Sequence, residues 1–293
     1  MLIKSFKLFC DLADTKSFSK AAKMHGITQS AVSQQIRVLE RKFHSRLGER
    51  GRNSFRLTRE GQVLYDYGKQ ILQTYESMNS KLQEANDIIS GTIRVVSIYS
   101  IGLHELPPYI KSFTKVYPTV KVHVEYGRPN QVYEDVLNGV ADFGFLAFPV
   151  RQPNLEIVPF RMDKLVFICH PQHPFAGQRS VKLNALAGQK FIGFESDIPI
   201  RKVVDKMLGS RSVEVQRVTE FDNIESVKRA VEIDAGVSIV PQGTVTQEVV
   251  MRTLVALPIE GGKFYRPLGI LYKKNKVLSP AMKQFLAVLT AGI

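Results

Sequence analysis

Apolar positions along the chain change period from one region to the next. Phe6, Phe9, Cys10 and Ala13 fall on one face of a helix near 3–14, and Phe18, Ala21 and Ala22 mark a second that starts at Ser17. His25, Gly26 and Ile27 form a tight turn. Thr28 then caps a third helix over 29–41, whose Val32, Ile36 and Leu39 point inwards. Residues 58–90 contain no proline, and Leu64, Tyr67, Ile71, Tyr75, Met78, Leu82, Ala85 and Ile89 recur there in steps of three and four, close to a heptad seam. The pattern predicts one helix from a Thr58 cap to a Gly91 stop, about 46 Å long. A stripe that long exceeds what a small domain can cover, so a second copy of the chain is the expected partner. From residue 92 onwards β-rich runs alternate with helical stretches. Strands are expected at 92–98, 120–126, 141–148, 165–169, 191–194 and 236–241, with helices through Leu106 and Ile110 and from Pro129 to Leu137. Alternation of this kind predicts an α/β unit with a mostly parallel sheet, and ligand sites at strand C-terminal ends and helix N-termini.

The third helix is two-faced. Opposite its apolar stripe lie Gln29, Ser30, Ser33, Gln34 and Arg37. Amides, hydroxyls and a guanidinium are the groups that read base edges in a major groove. Two helices joined by a short glycine turn form a helix-turn-helix, and Ala21, Ala22 and Gly26 let them approach closely. Arg46, Arg50, Arg52, Asn53 and Arg56 follow at once. The stretch from Gly48 to Phe55 has hairpin-loop chemistry, as expected of a basic wing that grips phosphates or enters the minor groove. A solvated helix face and solvent-facing arginines are the bland alternatives.

Charge sharpens this picture. The 293-residue chain carries a formal net charge of +13. Residues 1–59 hold 13 Lys/Arg against 4 Asp/Glu, so the first fifth carries most of the excess. Such concentration suits a polyanion: DNA, RNA or an anionic surface.

Several classes drop out. No apolar run approaches the roughly 20 residues of a membrane helix, so no membrane partner is expected, and the N-terminus does not open as a signal peptide. Cys10 and Cys169 are the only cysteines, which excludes a disulfide scaffold and points to a reducing cytoplasm. His170 and His173 are followed by Pro171 and Pro174 and have no third ligand nearby, so no metal is expected. Walker, GxGxxG and GxSxG patterns are absent and the carboxylates are scattered. No catalytic residue, enzyme activity or cofactor is therefore expected.

One ordered set of residues has a familiar shape. Ser17-Phe18-Ser19-Lys20-Ala21-Ala22, Thr28-Gln29-Ser30-Ala31-Val32-Ser33, Ile36, Leu39-Glu40, Leu57-Thr58 and Gly61 resemble the LysR-type transcriptional regulators. Length, long helix and α/β remainder extend the resemblance over the whole chain. Four positions depart from the family pattern: Phe43-His44 where Leu-Gly is usual, Gly48 where Phe is usual, and Glu60 where a small residue is common.

The resemblance implies a winged helix-turn-helix DNA-binding domain (1–58) and a linker and dimerisation helix (59–90). It also implies two Rossmann-like regulatory subdomains like those of type II periplasmic binding proteins (91–162 plus 266–293, and 163–265), with an effector cleft between them. Ser97, Tyr99, Ser100, Ile101, Asn130 and Phe148 are expected to reach that cleft from the first subdomain, and Pro199, Arg201 and Asn223 from the second. Ser100, Asn130 and Asn223 suit a carboxylate or amide, and Arg201 an anion, although Asp197 or Asp205 is an alternative partner for Arg201. Gln29, Ser30, Ser33, Gln34, Arg37, Arg50, Arg52, Asn53 and Arg56 are the expected DNA contacts. The implied partners are double-stranded promoter DNA, a small effector, further copies of the chain up to a dimer of dimers, and RNA polymerase. Two other readings remain open at this point: a ligand-independent architectural DNA-binding protein, and a small-molecule-binding protein with a vestigial DNA module.

Overall fold

Helix α1 (Leu2–Thr15) buries Phe6, Leu8, Phe9, Cys10 and Leu12, and these form the N-terminal core. The structure is a computed structural model that describes residues 2–50, 55–85 and 89–291. Ser17 caps α2 (Phe18–His25) by accepting the Lys20 N–H at 3.3 Å. Gly26 ends α2 in the left-handed region (φ +62°), where a residue without Cβ is unstrained. Thr28 accepts the Ala31 N–H at 3.2 Å and opens α3 (Gln29–Lys42). The α3 terminus is a Schellman turn: His44 N–H donates to Arg41 O and Ser45 N–H to Glu40 O, with His44 at φ +48°. The position where the family favours glycine thus keeps its left-handed backbone with a histidine in it.

Strands β1 (Gly48–Arg50) and β2 (Phe55–Leu57) pair antiparallel as the wing. The Phe55 ring lies edge-on to Phe9 and Phe18 and occupies the space beside Gly48, where an added Cβ would meet it at 2.2 Å. Phe55 therefore fills the volume that glycine leaves open. Helix α4 (Arg59–Ala85) starts on Thr58, whose hydroxyl accepts the Gly61 N–H at 3.0 Å and donates to Arg46 O at 2.6 Å. A Cβ on Gly61 would sit 1.8 Å from Leu47 O, so the helix meets the wing only through a glycine.

One face of α4 lays Leu64, Tyr65 and Leu72 on the N-terminal core. The adjoining face leaves Tyr67, Ile71, Tyr75 and Met78 between 40% and 62% exposed, an apolar stripe with no cover among the described residues. The helix is shorter than its pattern predicts. It is described to Ala85, about 40 Å, and residues 86–88 lie outside the description. Ile89 leaves the seam, packs on the next core and accepts the Thr119 hydroxyl at 2.7 Å. Gly91, at φ +124°, opens a strand instead of ending the helix.

The α/β part then runs β3 (Gly91–Ser97), a single turn α5 (Tyr99–Gly102), α6 (Leu106–Val116), β4 (Val120–Tyr126), α7 (Pro129–Leu137), β5 (Phe143–Ala147) and β6 (Leu155–Cys169). After β6 come β7 (Val181–Lys182), β8 (Lys190–Phe194), α8 (Pro199–Gly209), β9 (Gln216–Phe221), α9 (Ile224–Glu232), β10 (Ser238–Pro241) and α10 (Thr246–Met251). The chain closes with β11 (Val255–Leu257), β12 (Ile259–Glu260), β13 (Tyr265–Lys273) and α11 (Pro280–Ala291).

Two large apolar cores result, one around Phe113, Phe143, Phe145 and Phe285, the other around Phe167, Phe191, Val227 and Ile239, and a smaller cluster of Val96, Val132, Val136, Leu146 and Leu271 lies under α7. β6 serves both. Its first part pairs with β13 and mostly leaves alternate residues open, whereas Leu165–Cys169 is buried throughout and pairs with β10 and β11. The sheet order is β10-β6-β13-β5-β3-β4. It is mixed, not mostly parallel: β3 runs parallel to β4 and β5, but β13 and β6 are antiparallel to their neighbours because each carries the chain from one core to the other. Phe148 sits at φ +52° just after β5 and packs against both cores.

Candidate DNA-binding surface and effector cleft

On α3 the burial follows the sequence pattern. Val32, Ile36 and Leu39 are buried, Gln29, Ser30, Gln34 and Arg37 are exposed, and Ser33 is half-buried. Gln29 and Ser30 also serve the local fold: Gln29 Oε1 accepts the Ser19 hydroxyl at 3.3 Å, and Ser30 Oγ lies 2.9 Å from the capping hydroxyl of Thr28. Gln34 and Arg37 border an open groove that continues past Arg41 and His44 to Arg46. The sequence pattern does not single out Arg41 and His44 as contacts, because they lie beyond the helix's first turns, where base reading is expected. Glu40, in the same groove, is structural and accepts the Leu47 N–H at 3.0 Å. Arg56 is exposed on β2 opposite Glu49. The side chain of Arg50, and all of Arg52 and Asn53, lie outside the described residues.

Between the two α/β cores lies a cavity of about 60 Å³. That volume holds a few waters and is well below the roughly 300 Å³ of an ordinary ligand pocket, so the cleft is narrow. Of the residues expected there, Tyr99, Ser100, Pro199 and Asn223 line it. The other five do not. Ser97 and Ile101 are buried in the first half behind it, Asn130 is exposed outside, and Phe148 packs between the two cores. Arg201 is engaged away from the cleft lining. Its Nε donates to Asp205 at 2.7 Å, and its Nη1 donates to Phe194 O at 2.6 Å and to Glu220 at 2.5 Å, so it braces α8 against β8 and β9. Asn223 caps α9 by accepting the Ser226 N–H at 3.0 Å, and its Nδ2 donates to Asp222 at 2.8 Å.

Two arginines dominate the cleft instead. Arg266, on the crossing strand β13, is 2% exposed. Its Nε and Nη2 donate to Asp163 at 3.0 and 2.8 Å, and its Nη1 donates to the Ser100 hydroxyl at 2.9 Å. Nothing in the strand pattern separates a buried cleft arginine from a solvated one, so the sequence does not reveal it. Arg128, just before α7, reaches across the mouth to Asp222 at 2.8 Å, Glu195 at 3.2 Å and Asp197 at 3.3 Å. The Asn223 amide and then Arg128 hold the Asp222 carboxyl below its usual range.

A second crossing links the halves nearby. His104 lies 2.8 Å from Glu225, which also pairs with the buried Lys228 at 3.0 Å, and Lys228 reaches Glu248 at 2.8 Å. Burial and then the charge of Asp163 push the Glu105 carboxyl up, against the opposing pull of Arg161 at 2.7 Å and of Arg266. A carboxylate, a guanidinium and a hydroxyl thus converge on the apolar cleft. That set can bind and orient a polar ligand.

Comparison with known proteins decides the family. Residues 3–62 match the bacterial regulatory helix-turn-helix protein, lysR family, and residues 87–293 match the LysR substrate binding domain. The chain belongs to the LysR family of transcriptional regulators. It is 28% identical over 287 residues to the HTH-type transcriptional regulator YbhD of Escherichia coli, covering 98% of this chain and 90% of that protein. The fold of a full-length OxyR variant from Pseudomonas aeruginosa superposes with a TM-score of 0.73 at 18% identity, over 99% of this chain and 96% of that one. The regulatory domain of CcmR from Synechocystis, solved in complex with 2-PG, gives a TM-score of 0.62 at 25% identity, over 69% and 97%. This LysR regulator is accordingly a DNA-binding transcription factor with an effector-binding domain, and not an enzyme. LysR regulators bind DNA and small effectors and oligomerise. No helix among the described residues is long and apolar enough to cross a membrane.

Proposed function

We propose that this LysR regulator senses a small anion or organic acid in the cleft between its regulatory halves and converts its binding into a change of promoter occupancy. The observation that carries this reading is the Ser100–Arg266 pair facing the cleft. A buried guanidinium with one donor turned to a hydroxyl, not to a second carboxylate, suits an incoming anion. The CcmR complex supports the same chemistry, because 2-PG is the ligand bound there.

A drug-sized ligand needs a wider cleft, and the Arg128 contacts are what must part to widen it. We place the hinge where β6 and β13 cross, at 162–163 and 265–266. The uncovered stripe of α4 supports dimerisation through that helix, and a dimer of dimers is the proposed assembly, acting in the cytoplasm. Two copies of α3 then enter successive major grooves, with Gln29, Ser30, Ser33, Gln34 and Arg37 facing bases and Arg50, Arg52, Asn53 and Arg56 facing backbone. RNA polymerase is the proposed recipient of the resulting change in DNA shape.

Thermal unfolding of the full-length protein against a panel of organic acids and inorganic anions tests the reading. A ligand of the folded state at 100 times its Kd adds about 2.7 kcal/mol. One chemical class is expected to raise the midpoint, and Ser100→Ala is expected to abolish that rise. A stabilising ligand indifferent to Ser100→Ala would place the effector elsewhere.

A further inference from the structure

A second and larger concavity, about 630 Å³, lies at the seam between the DNA-binding unit and the first regulatory core. Lys7 of α1 and Lys69 of α4 stand on one wall. Arg94 of β3, and Lys273, Lys274 and Lys276 at the end of β13, stand on the other. Among the described residues two acids line the seam, and both are already engaged: Asp11 with His25 at 2.8 Å, and Asp142 with Lys276 at 2.7 Å and Arg94 at 3.6 Å. Lys69 pairs with Asp14, which is outside the lining. Among the described residues, Lys7, Lys273 and Lys274 make no ion pair within 4 Å. Lys273 is half-buried, and burial and then the charge of Lys69 hold its ammonium below its usual range.

Cations gathered in a recess repel one another more strongly than on open surface, because the protein walls screen less than water. The most direct relief is a multivalent anion seated among them. The volume is in the range of small-molecule pockets, and the lining is rich in donors at two opposed walls.

We propose that this seam is a second ligand site, separate from the cleft, which takes a compact multivalent anion of the phosphate-bearing class. One wall belongs to the helix-turn-helix and its linker, the other to the sensor. An anion bound to both favours the arrangement in which the two units are drawn together. It thereby sets the angle of the recognition helix independently of the cleft effector.

Isothermal titration of inorganic pyrophosphate into the full-length protein at constant ionic strength tests this. The expected result is saturable binding of one pyrophosphate per chain. The Lys273→Gln/Lys274→Gln double variant is expected to weaken it at least tenfold, and Ser100→Ala to leave it unchanged. Should the double variant fold poorly by circular dichroism, Lys7→Gln, an exposed position on α1, gives the same reading with a smaller loss. Uptake that does not saturate at constant ionic strength overturns the proposal. So does binding that falls with Ser100→Ala but not with the lysine variants, which would assign it to the cleft. Lysine variants that weaken DNA binding while leaving pyrophosphate untouched would make the seam a nucleic-acid contact and also overturn it.

Discussion

The Nη2 of Arg128 stands 2.8 Å from the Oδ2 of Asp222 across the mouth of the effector cleft, and this pair ties the two regulatory halves together. Glu195 and Asp197 lie close enough to share the same guanidinium. A ligand that opens the cleft must part these contacts, so its apparent affinity is lowered by the fraction of molecules held closed. Asp222→Asn keeps the shape of the side chain and removes its charge. We expect it to tighten binding of the cleft anion a few-fold in a calorimetric titration. Weaker binding would mean that the contact completes the site instead of guarding it.

Arg266 and Asp163 form a buried pair whose partners are both less than a tenth exposed. Removing one partner strands the other in a poorly solvated place, which typically costs about 3–5 kcal/mol. Arg266→Ala should therefore lower the denaturant midpoint markedly. The double variant Arg266→Met/Asp163→Leu should recover most of the loss, because two apolar side chains leave no charge unpaired. Equal losses in the single and double variants would show that the ion pair itself, and not the stranded charge, carries the stability.

Much of the molecule is legible in the sequence, for reasons that differ by region. The helix-turn-helix shows because its caps are local: Ser17, Gly26 and Thr28 act within three or four residues of themselves. β4 and α7 fall on the expected residues because Pro129 and the apolar runs punctuate them. The direction of β6 and β13 is hidden, since antiparallel pairing across more than a hundred residues leaves no local trace. The end of α4 is obscured because Ile89 continues the helical step while its side chain belongs to another core. In the cleft, Arg201 stands at a helix start next to cleft residues, yet three acceptors around α8 claim it. Arg266 carries no motif and reaches the cleft only because β13 crosses there.

His44 offers a local test of backbone strain. Its φ of +48° costs a side-chain-bearing residue roughly 1–2 kcal/mol relative to the right-handed region. Glycine removes that strain but gains about 0.4–1 kcal/mol of unfolded-chain entropy to be lost. His44→Gly is therefore expected to stabilise the DNA-binding unit by about 0.5–1 kcal/mol, read as a higher unfolding midpoint. His44 borders the basic groove, so operator affinity is to be measured alongside. A destabilised variant would show that the imidazole makes a contact worth more than the strain.

Asp142 sets an acid limit on stability. Burial alone would raise its carboxyl, but Lys276 and then Arg94 outweigh that and hold it below the usual value of 3.8. A carboxyl lowered in the folded state contributes stability that is complete above its unfolded pKa and is lost as pH falls through the folded one. The contribution should therefore begin to fade near pH 4 and be gone once the folded group is protonated. Asp142→Asn is expected to be less stable at pH 7 and to show a shallower decline as the pH falls below about 4 in denaturant titrations. Parallel curves for the two proteins would exclude Asp142 as the source.

A ligand in the cleft is proposed to alter how α3 and the wing hold DNA. Quantitative footprinting of the full-length protein on its own upstream DNA, with and without a saturating cleft anion, tests that link most directly. The predicted result is protection over two half-sites whose extent changes on adding the anion, with the change absent in Ser100→Ala. An identical footprint with and without an anion shown to occupy the cleft would contradict it.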